Sequence, residues 1–246
     1  YKMHIKAQSL FTKMTPPSNN EAERLWKKAL EKEPENYRFM VTLGWVNWQK
    51  IVLRMSENPK EDIQKGLRLA KQSLSIRPDF ASALSLAVSL EMMMGNHEAA
   101  CKRVEKIFKF AENTFDTALG AAGAHNCGDL ELAISNYEYV FRTAPHFSSW
   151  ARNLYSYALV ENGDFDKALE YFDSELKKEH AFGGFSQTMY LLSAFIKKKR
   201  GDEKKAKEFF EKQKNEEGKR KSAQRIRGEL SMLKNKGFID ELIHEL

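Results

Sequence analysis

The sequence predicts an all-α protein built from repeated helix pairs, and three observations carry that expectation. A small residue followed one helical turn later by a large one recurs along the chain at near-constant spacing. A glycine followed by a polar residue precedes many of these marks, as a helix-stopping turn would. No stretch alternates apolar and polar residues for long enough to form a competing strand. With the small residue as marker, positions 22, 66, 100, 133, 168 and 206 are separated by 44, 34, 33, 35 and 38 residues.

Each mark has a physical reason. A small residue lets the second helix of a pair approach the first, and the large residue one turn on fills the space left between neighbouring pairs. Ala22 with Trp26, closed by Pro34, predicts helices over 2–13 and 19–33. Leu43-Gly44, then Gly66, Ala70, Ser73 and Pro78, predict 36–53 and 60–76, and the lengthened turn at 54–62 accounts for the 44-residue step. Gly95-Asn96 divides 80–94 from 97–110, where Ala100 precedes Val104. Gly128-Asp129 divides 115–126 from 130–143, with Ala133, Tyr137 and a stop at Pro145. Gly163-Asp164 divides 148–161 from 165–178, with Ala168 and Phe172; Gly201-Asp202 divides 184–199 from 203–215, with Ala206 and Phe210. At each of these turns the glycine tolerates positive φ and the polar residue caps the next helix. Helices over 219–234 and 238–245 would close the end. The predicted organisation is a repeat array over 1–215, in units of about 1–34, 35–78, 79–112, 113–145, 146–180 and 181–215, followed by capping helices over 216–246.

Composition narrows the function classes. In 246 residues, 42% hydrophobic and 11% aromatic content excludes a disordered chain. Charged residues make up 30%, and the longest apolar run, Ala81 to Leu90, is broken by serines, so no spanning helix is expected. Cys101 and Cys127 are too few for a disulfide framework; they read as small hydrophobes packed between helices, in a reducing compartment and hence the cytoplasm. The chain begins at Tyr1 without a secretory signal, as a piece of a longer protein would.

Catalytic chemistry finds no foothold. The six histidines include no His-Glu-x-x-His pair, and His125-Asn126-Cys127 has a spacing that splays side chains apart on a helix. Glycine-rich phosphate loops and a Gly-x-Ser-x-Gly elbow are absent from the sequence. The expectation is a non-enzymatic chain with no catalytic residue, metal, cofactor or small-molecule substrate.

These residues resemble the tetratricopeptide repeat family over about residues 1 to 212. Its Trp-x-x-Leu-Gly pattern is matched at Leu43-Gly44 and its Ala-x-x-x-Phe at Ala168 and Phe172, while other slots are degenerate. The resemblance implies a right-handed solenoid of about six helix-turn-helix units with a helical C-terminal cap. A narrower resemblance lies between Tyr1 and Ala83, where Leu10-Phe-Thr-Lys-Met-Thr-Pro-Pro17, Leu43-Gly-Trp45, Ser56-Glu-Asn-Pro59 and Ser75-Ile-Arg-Pro-Asp79 occur in order. That order looks like the repeat region C-terminal to the catalytic domain of bacterial class III adenylate and guanylate cyclases. It implies a regulatory region that docks a partner or self-associates, with the nucleotide chemistry on a domain outside this sequence.

In such arrays the first helix of each unit faces a concave groove where peptides or partner helices dock. The helical period places Arg38, Trp45, Trp48 and Gln49 on that side, then Ser89 and Met92, Asn126, and finally Arg152 and Ser156. Trp45 and Trp48 have a structural alternative, packing of a long helix pair against the insertion. A protein or peptide in the groove is the expected partner, with a homodimer as a further form. Two other classes stay open: a stand-alone adaptor or chaperone, and a polyanion-binding module. The latter rests on 16 Lys plus Arg against 7 Asp plus Glu between Lys197 and Lys236. The interleaved glutamates favour a solvated capping face over a nucleic-acid or membrane surface.

Overall fold

The computed structural model describes residues 2–13, 15–53, 55–147, 149–177, 185–214, 230 and 232–244, and among them every regular element is a helix. In order these are α1 (Lys2–Phe11), α2 (Pro16–Lys32), α3 (Tyr37–Val52), α4 (Pro59–Ile76), α5 (Ala81–Met93), α6 (His97–Cys101) and α7 (Val104–Lys109). They continue with α8 (Thr114–Cys127), α9 (Leu130–Thr143), α10 (Ser149–Glu161), α11 (Phe165–Leu176), α12 (Phe185–Lys199), α13 (Glu203–Lys214) and α14 (Lys236–His244). Most of the expected helix over 219–234 lies outside the described residues.

The starts and stops follow local chemistry. Asn36 accepts hydrogen bonds from the backbone N–H groups of Arg38 and Phe39, and Asn58 from that of Glu61, so both cap helix N-termini. The α2 helix begins at Pro16, three residues before the sequence suggested, because Thr15 and Ser18 form a reciprocal cap and proline suits the first helical position. The expected helix 97–110 is broken into α6 and α7 by a turn at Lys102 and Arg103. There the backbone tightens, with Arg103 N–H bonding Ala100 C=O at 3.0 Å, while the Arg103 guanidinium bonds Glu91. The turn glycines Gly95, Gly128, Gly163 and Gly201 all have φ between 77° and 84°. At Gly163 the N–H bonds Val160 C=O and the next N–H, of Asp164, reaches back to Leu159 C=O at 2.9 Å, which closes the helix end.

The chain divides into two compact units, residues 1–120 and 121–246. In the first, Ala7, Ala22, Leu25, Trp26, Leu43 and Val46 form one buried cluster. Val41, Ile63, Ala70, Ala83, Leu86, Ala87 and Leu90 form a second. The Leu43-Gly44 signature has a direct cause: a Cβ at Gly44 would lie 2.2 Å from Leu86 Cδ2, and one at Gly66 would lie 2.5 Å from Leu90 Cδ1. Bare backbone at both positions lets α3, α4 and α5 interlock.

The second unit is organised around aromatic rings. Tyr137, Tyr155 and Tyr171 follow one another at centroid distances of 6.0 and 4.9 Å, with Phe141 stacked on Tyr137 and Phe172 beside Tyr171. Burial raises the phenol pKa of Tyr137, Tyr155 and Tyr171. The marker residues Ala22, Ala100, Ala133, Ala168 and Ala206 are all buried, as are Trp26, Val104, Tyr137 and Phe172 one turn later.

Candidate partner-binding face

The nine residues expected to line a groove fall into two groups. Gln49, Met92, Asn126, Arg152 and Ser156 are buried. Arg38 is exposed, and Trp45, Trp48 and Ser89 are half-buried. Burial removes the first five from a solvent-facing role; Asn126 lies under the C-terminal segment, its carbonyl bonded by Lys234 N–H at 2.9 Å. Gln49 accepts a hydrogen bond from Asn19 at 2.6 Å and donates to Phe11 C=O at 3.1 Å, tying α2 and the end of α1 to α3. Met92 lies in the interior of the first unit. Ser156 bonds back to Arg152 C=O at 2.9 Å.

Arg152 is enclosed. Its guanidinium donates to Glu175 at 3.2 Å, to Tyr171 Oη at 3.4 Å, and to the carbonyls of Pro145 and Phe147, and it sits 4.7 Å from the Phe141 ring centroid. A guanidinium only 6% exposed and with this many partners holds α9, α10 and α11 together and offers little surface to a ligand.

The first unit keeps a different surface. Arg38 opens α3, its carbon centre 5.4 Å from the Tyr37 ring and 5.6 Å from that of Phe80, which themselves meet edge to face at 4.9 Å. The guanidinium donates to Tyr37 Oη at 3.1 Å, and Arg77 donates to the same oxygen at 2.9 Å. Burial would raise the Tyr37 phenol, but hydrogen bonds from Arg77 and Arg38 outweigh it and hold its pKa below the ordinary value. Arg77 also pairs with Asp79 and Glu112, whereas among the described residues Arg38 forms no direct ion pair and acts only at longer range on the buried Asp116 carboxylate. Two turns along the same helix face, Trp45 meets Trp48 edge to face at 5.5 Å and donates its indole N–H to Ser82 at 3.2 Å. Both tryptophans rest on the second buried cluster, so each is at once packing and surface. The Trp48 indole N–H is shielded and meets no acceptor.

The sequence reading passed over Tyr37, Arg77 and Phe80. The signal for Tyr37 and Phe80 was an aromatic residue two or three positions after a helix-ending proline, Pro34 before Tyr37 and Pro78 before Phe80; Arg77, just before Pro78, carried none.

The cysteine expectation is corrected. Both Cys101 and Cys127 are disulfide-bonded and no free cysteine remains, so they are not packed thiols. Among the described residues no group of His, Cys, Asp and Glu could hold a metal ion, and no helix is long and apolar enough to cross a membrane.

No protein-family model matches the chain, and no characterised protein matches it in sequence. Its fold is nevertheless shared by solved structures of tetratricopeptide repeat proteins. PilW, a widely conserved type IV pilus biogenesis factor, aligns with a TM-score of 0.62 at 16% identity, over 87% of this chain and 92% of its own. A tetratricopeptide repeat protein from Parabacteroides merdae aligns at 0.53 and 17% identity, over 98% of both chains. YrrB, a repeat protein with an unusual peptide-binding site, aligns at 0.50 and 13% identity, over 87% of this chain and 95% of its own. At such identities the likeness establishes the fold, an all-α tetratricopeptide-type repeat.

Proposed function

We propose that this chain is a protein-interaction module that holds a partner's acidic peptide segment against the first-helix face of residues 37–93. Arg38 would be its electrostatic anchor, and Trp45 and Trp48 its apolar floor, with Ser89 further along. The observation that carries this reading is Arg38: an exposed guanidinium stacked on two rings, in no direct ion pair among the described residues and felt only at longer range by the buried Asp116 carboxylate, two turns from a half-exposed tryptophan pair. Arginine and tryptophan dominate interface energetics, and a pre-stacked guanidinium loses little freedom on pairing. The peptide-binding site named for YrrB supports the use of this fold for such a role. Screening full-length chain against an array of acidic peptides, with the best one titrated by calorimetry, tests it. Arg38→Glu should weaken that peptide at least about tenfold without moving the melting temperature. Unchanged affinity in that variant would refute the anchor.

Three finer readings rest on narrower ground. Attachment to a class III cyclase is supported by the order of motifs between Tyr1 and Ala83, and a sequence read upstream of Tyr1 that lacks the paired metal-binding aspartates would remove it. Homodimerisation along the same face would follow from that attachment, because class III catalysis requires two domains. Disulfide-bonded Cys101 and Cys127 favour an oxidising compartment over the cytoplasm. Alkylation of the denatured, unreduced protein should then find no free thiol; two modified cysteines would restore the reducing assignment.

A further inference from the structure

In the second unit the C-terminal segment 230–244, which includes α14, makes polar contacts with the ends of three earlier helices. Leu230, Leu233, Phe238, Ile239 and Leu242 are all buried. Three polar contacts anchor the segment. The backbone N–H of Lys234 donates to Asn126 C=O at 2.9 Å, taking up a carbonyl that the end of α8 leaves without an intrahelical partner. Asn235 donates through Nδ2 to Glu161 Oε1 at 3.0 Å at the end of α10, while its Oδ1 accepts from Phe238 N–H and so caps α14. At the far end of α14, Glu241 pairs with Lys199 of α12.

The Asn235 contact is unusual in what lies behind it. Glu161 Oε2 sits 3.0 Å from His125 Nε2, and the two side chains are 3% and 0% exposed. His125 Nδ1 is buried without a hydrogen-bond partner. The cap of α14 thus rests on a carboxylate that has been taken out of water, beside an imidazole only half satisfied. Apolar residues of the same volume would hold a permanent cap at least as firmly, because the desolvation of buried charges offsets much of their attraction. Departure of α14 would take Asn235 from Glu161 Oε1 and leave that oxygen to water. The arrangement favours recognition of one helix terminus over maximum stability.

We propose that the seat formed by the C-terminal ends of α8, α10 and α12 is an interaction surface for a partner's amphipathic helix, and that α14 is its resident competitor. The partner helix would carry asparagine at its N-cap, apolar residues three, four and seven positions later, and an acidic residue near its end to meet Lys199. Because α14 is tethered, it acts at a high effective concentration and holds the seat until a partner with the same features displaces it. This inference does not depend on the reading of the first unit's face.

The test uses the full chain and, as probe, a fluorescein-labelled synthetic peptide of residues 232–246. Phe238→Ala with Leu242→Ala weakens the resident helix and leaves every residue of the seat intact. The peptide should bind this double variant at least about tenfold more tightly than the unaltered chain, and an Asn235→Ala peptide should lose most of that gain. Equal binding to both proteins would overturn the proposal. If the double variant fails to fold, hydrogen exchange of the unaltered chain decides. Amides of α14 that exchange by local opening, at least about tenfold faster than those of α10, support a displaceable helix. Exchange only with global unfolding refutes it.

Discussion

Two arginines occupy comparable positions near the start of a first helix, Arg38 in the first unit and Arg152 in the second, and they meet opposite fates. Arg38 lies over Tyr37 and Phe80 with its charge open to solvent. Arg152 is sealed by Glu175, Tyr171, Phe141 and two carbonyls. What separates them is the carboxylate on the neighbouring second helix. In the second unit Glu175 on α11 reaches the guanidinium, whereas in the first no carboxylate of α4 pairs with Arg38, the turn residues Asp79 and Glu112 are engaged by Arg77, and the buried Asp116 feels Arg38 only at longer range. One residue type thus serves as surface anchor or as internal brace according to what the next helix offers.

That contrast breaks most visibly in stability. Arg152→Ala removes a buried guanidinium that bonds Glu175, Tyr171 and two carbonyls, and by analogy with other broken buried networks should cost about 3–5 kcal/mol in chemical denaturation. Arg38→Ala should stay within about 0.5 kcal/mol, as surface changes do. If the two variants cost the same, the distinction between anchor and brace fails.

Gly44→Ala probes the first unit where its helices touch. The added methyl meets Leu86, itself fully buried, so a loss of about 1–3 kcal/mol is expected. A neutral result would mean that α3 and α5 can separate at little cost. Gly163→Ala in the second unit has open space around the new methyl, and only the positive φ opposes it, so the loss should be about 1 kcal/mol.

The smallest effect is a pH dependence confined to the first unit. His4 accepts a hydrogen bond from the Trp26 indole at 3.2 Å, and burial, aided by the nearby Arg38 charge, holds its pKa below the ordinary 6.5. The unfolded chain therefore takes up the proton more readily. The stabilisation is complete above about pH 6.5 and is lost as pH falls below it. Denaturation followed by tryptophan fluorescence should show it, and His4→Gln should flatten the slope; an unaltered slope would exclude His4 as its source.

Much of the fold was legible in the sequence because it depends on short-range chemistry. Glycines 95, 128, 163 and 201 had to adopt positive φ to end their helices, and Ala168 with Phe172 had to face inward at one-turn spacing. The face was legible only in part. Helical period places Arg38, Trp45, Asn126 and Arg152 on one side of their helices, yet it cannot say which neighbour will cover them. Asn126 is covered by a segment more than a hundred positions away in sequence, through the Lys234 contact. The Glu161 to Asn235 link was invisible for the same reason, since neither residue belongs to a spaced motif. The cysteines went wrong because two isolated residues carry no pattern from which a disulfide could be read.

The contrast between the two arginines is tested most directly by chemical footprinting of the native full chain with an arginine-specific glyoxal, read by mass spectrometry. Arg38 should be modified at a rate near that of a free guanidinium, and Arg152 should stay protected until the second unit unfolds. Modification of Arg152 as fast as Arg38 would contradict the account, because the second unit would then present the same open anchor as the first.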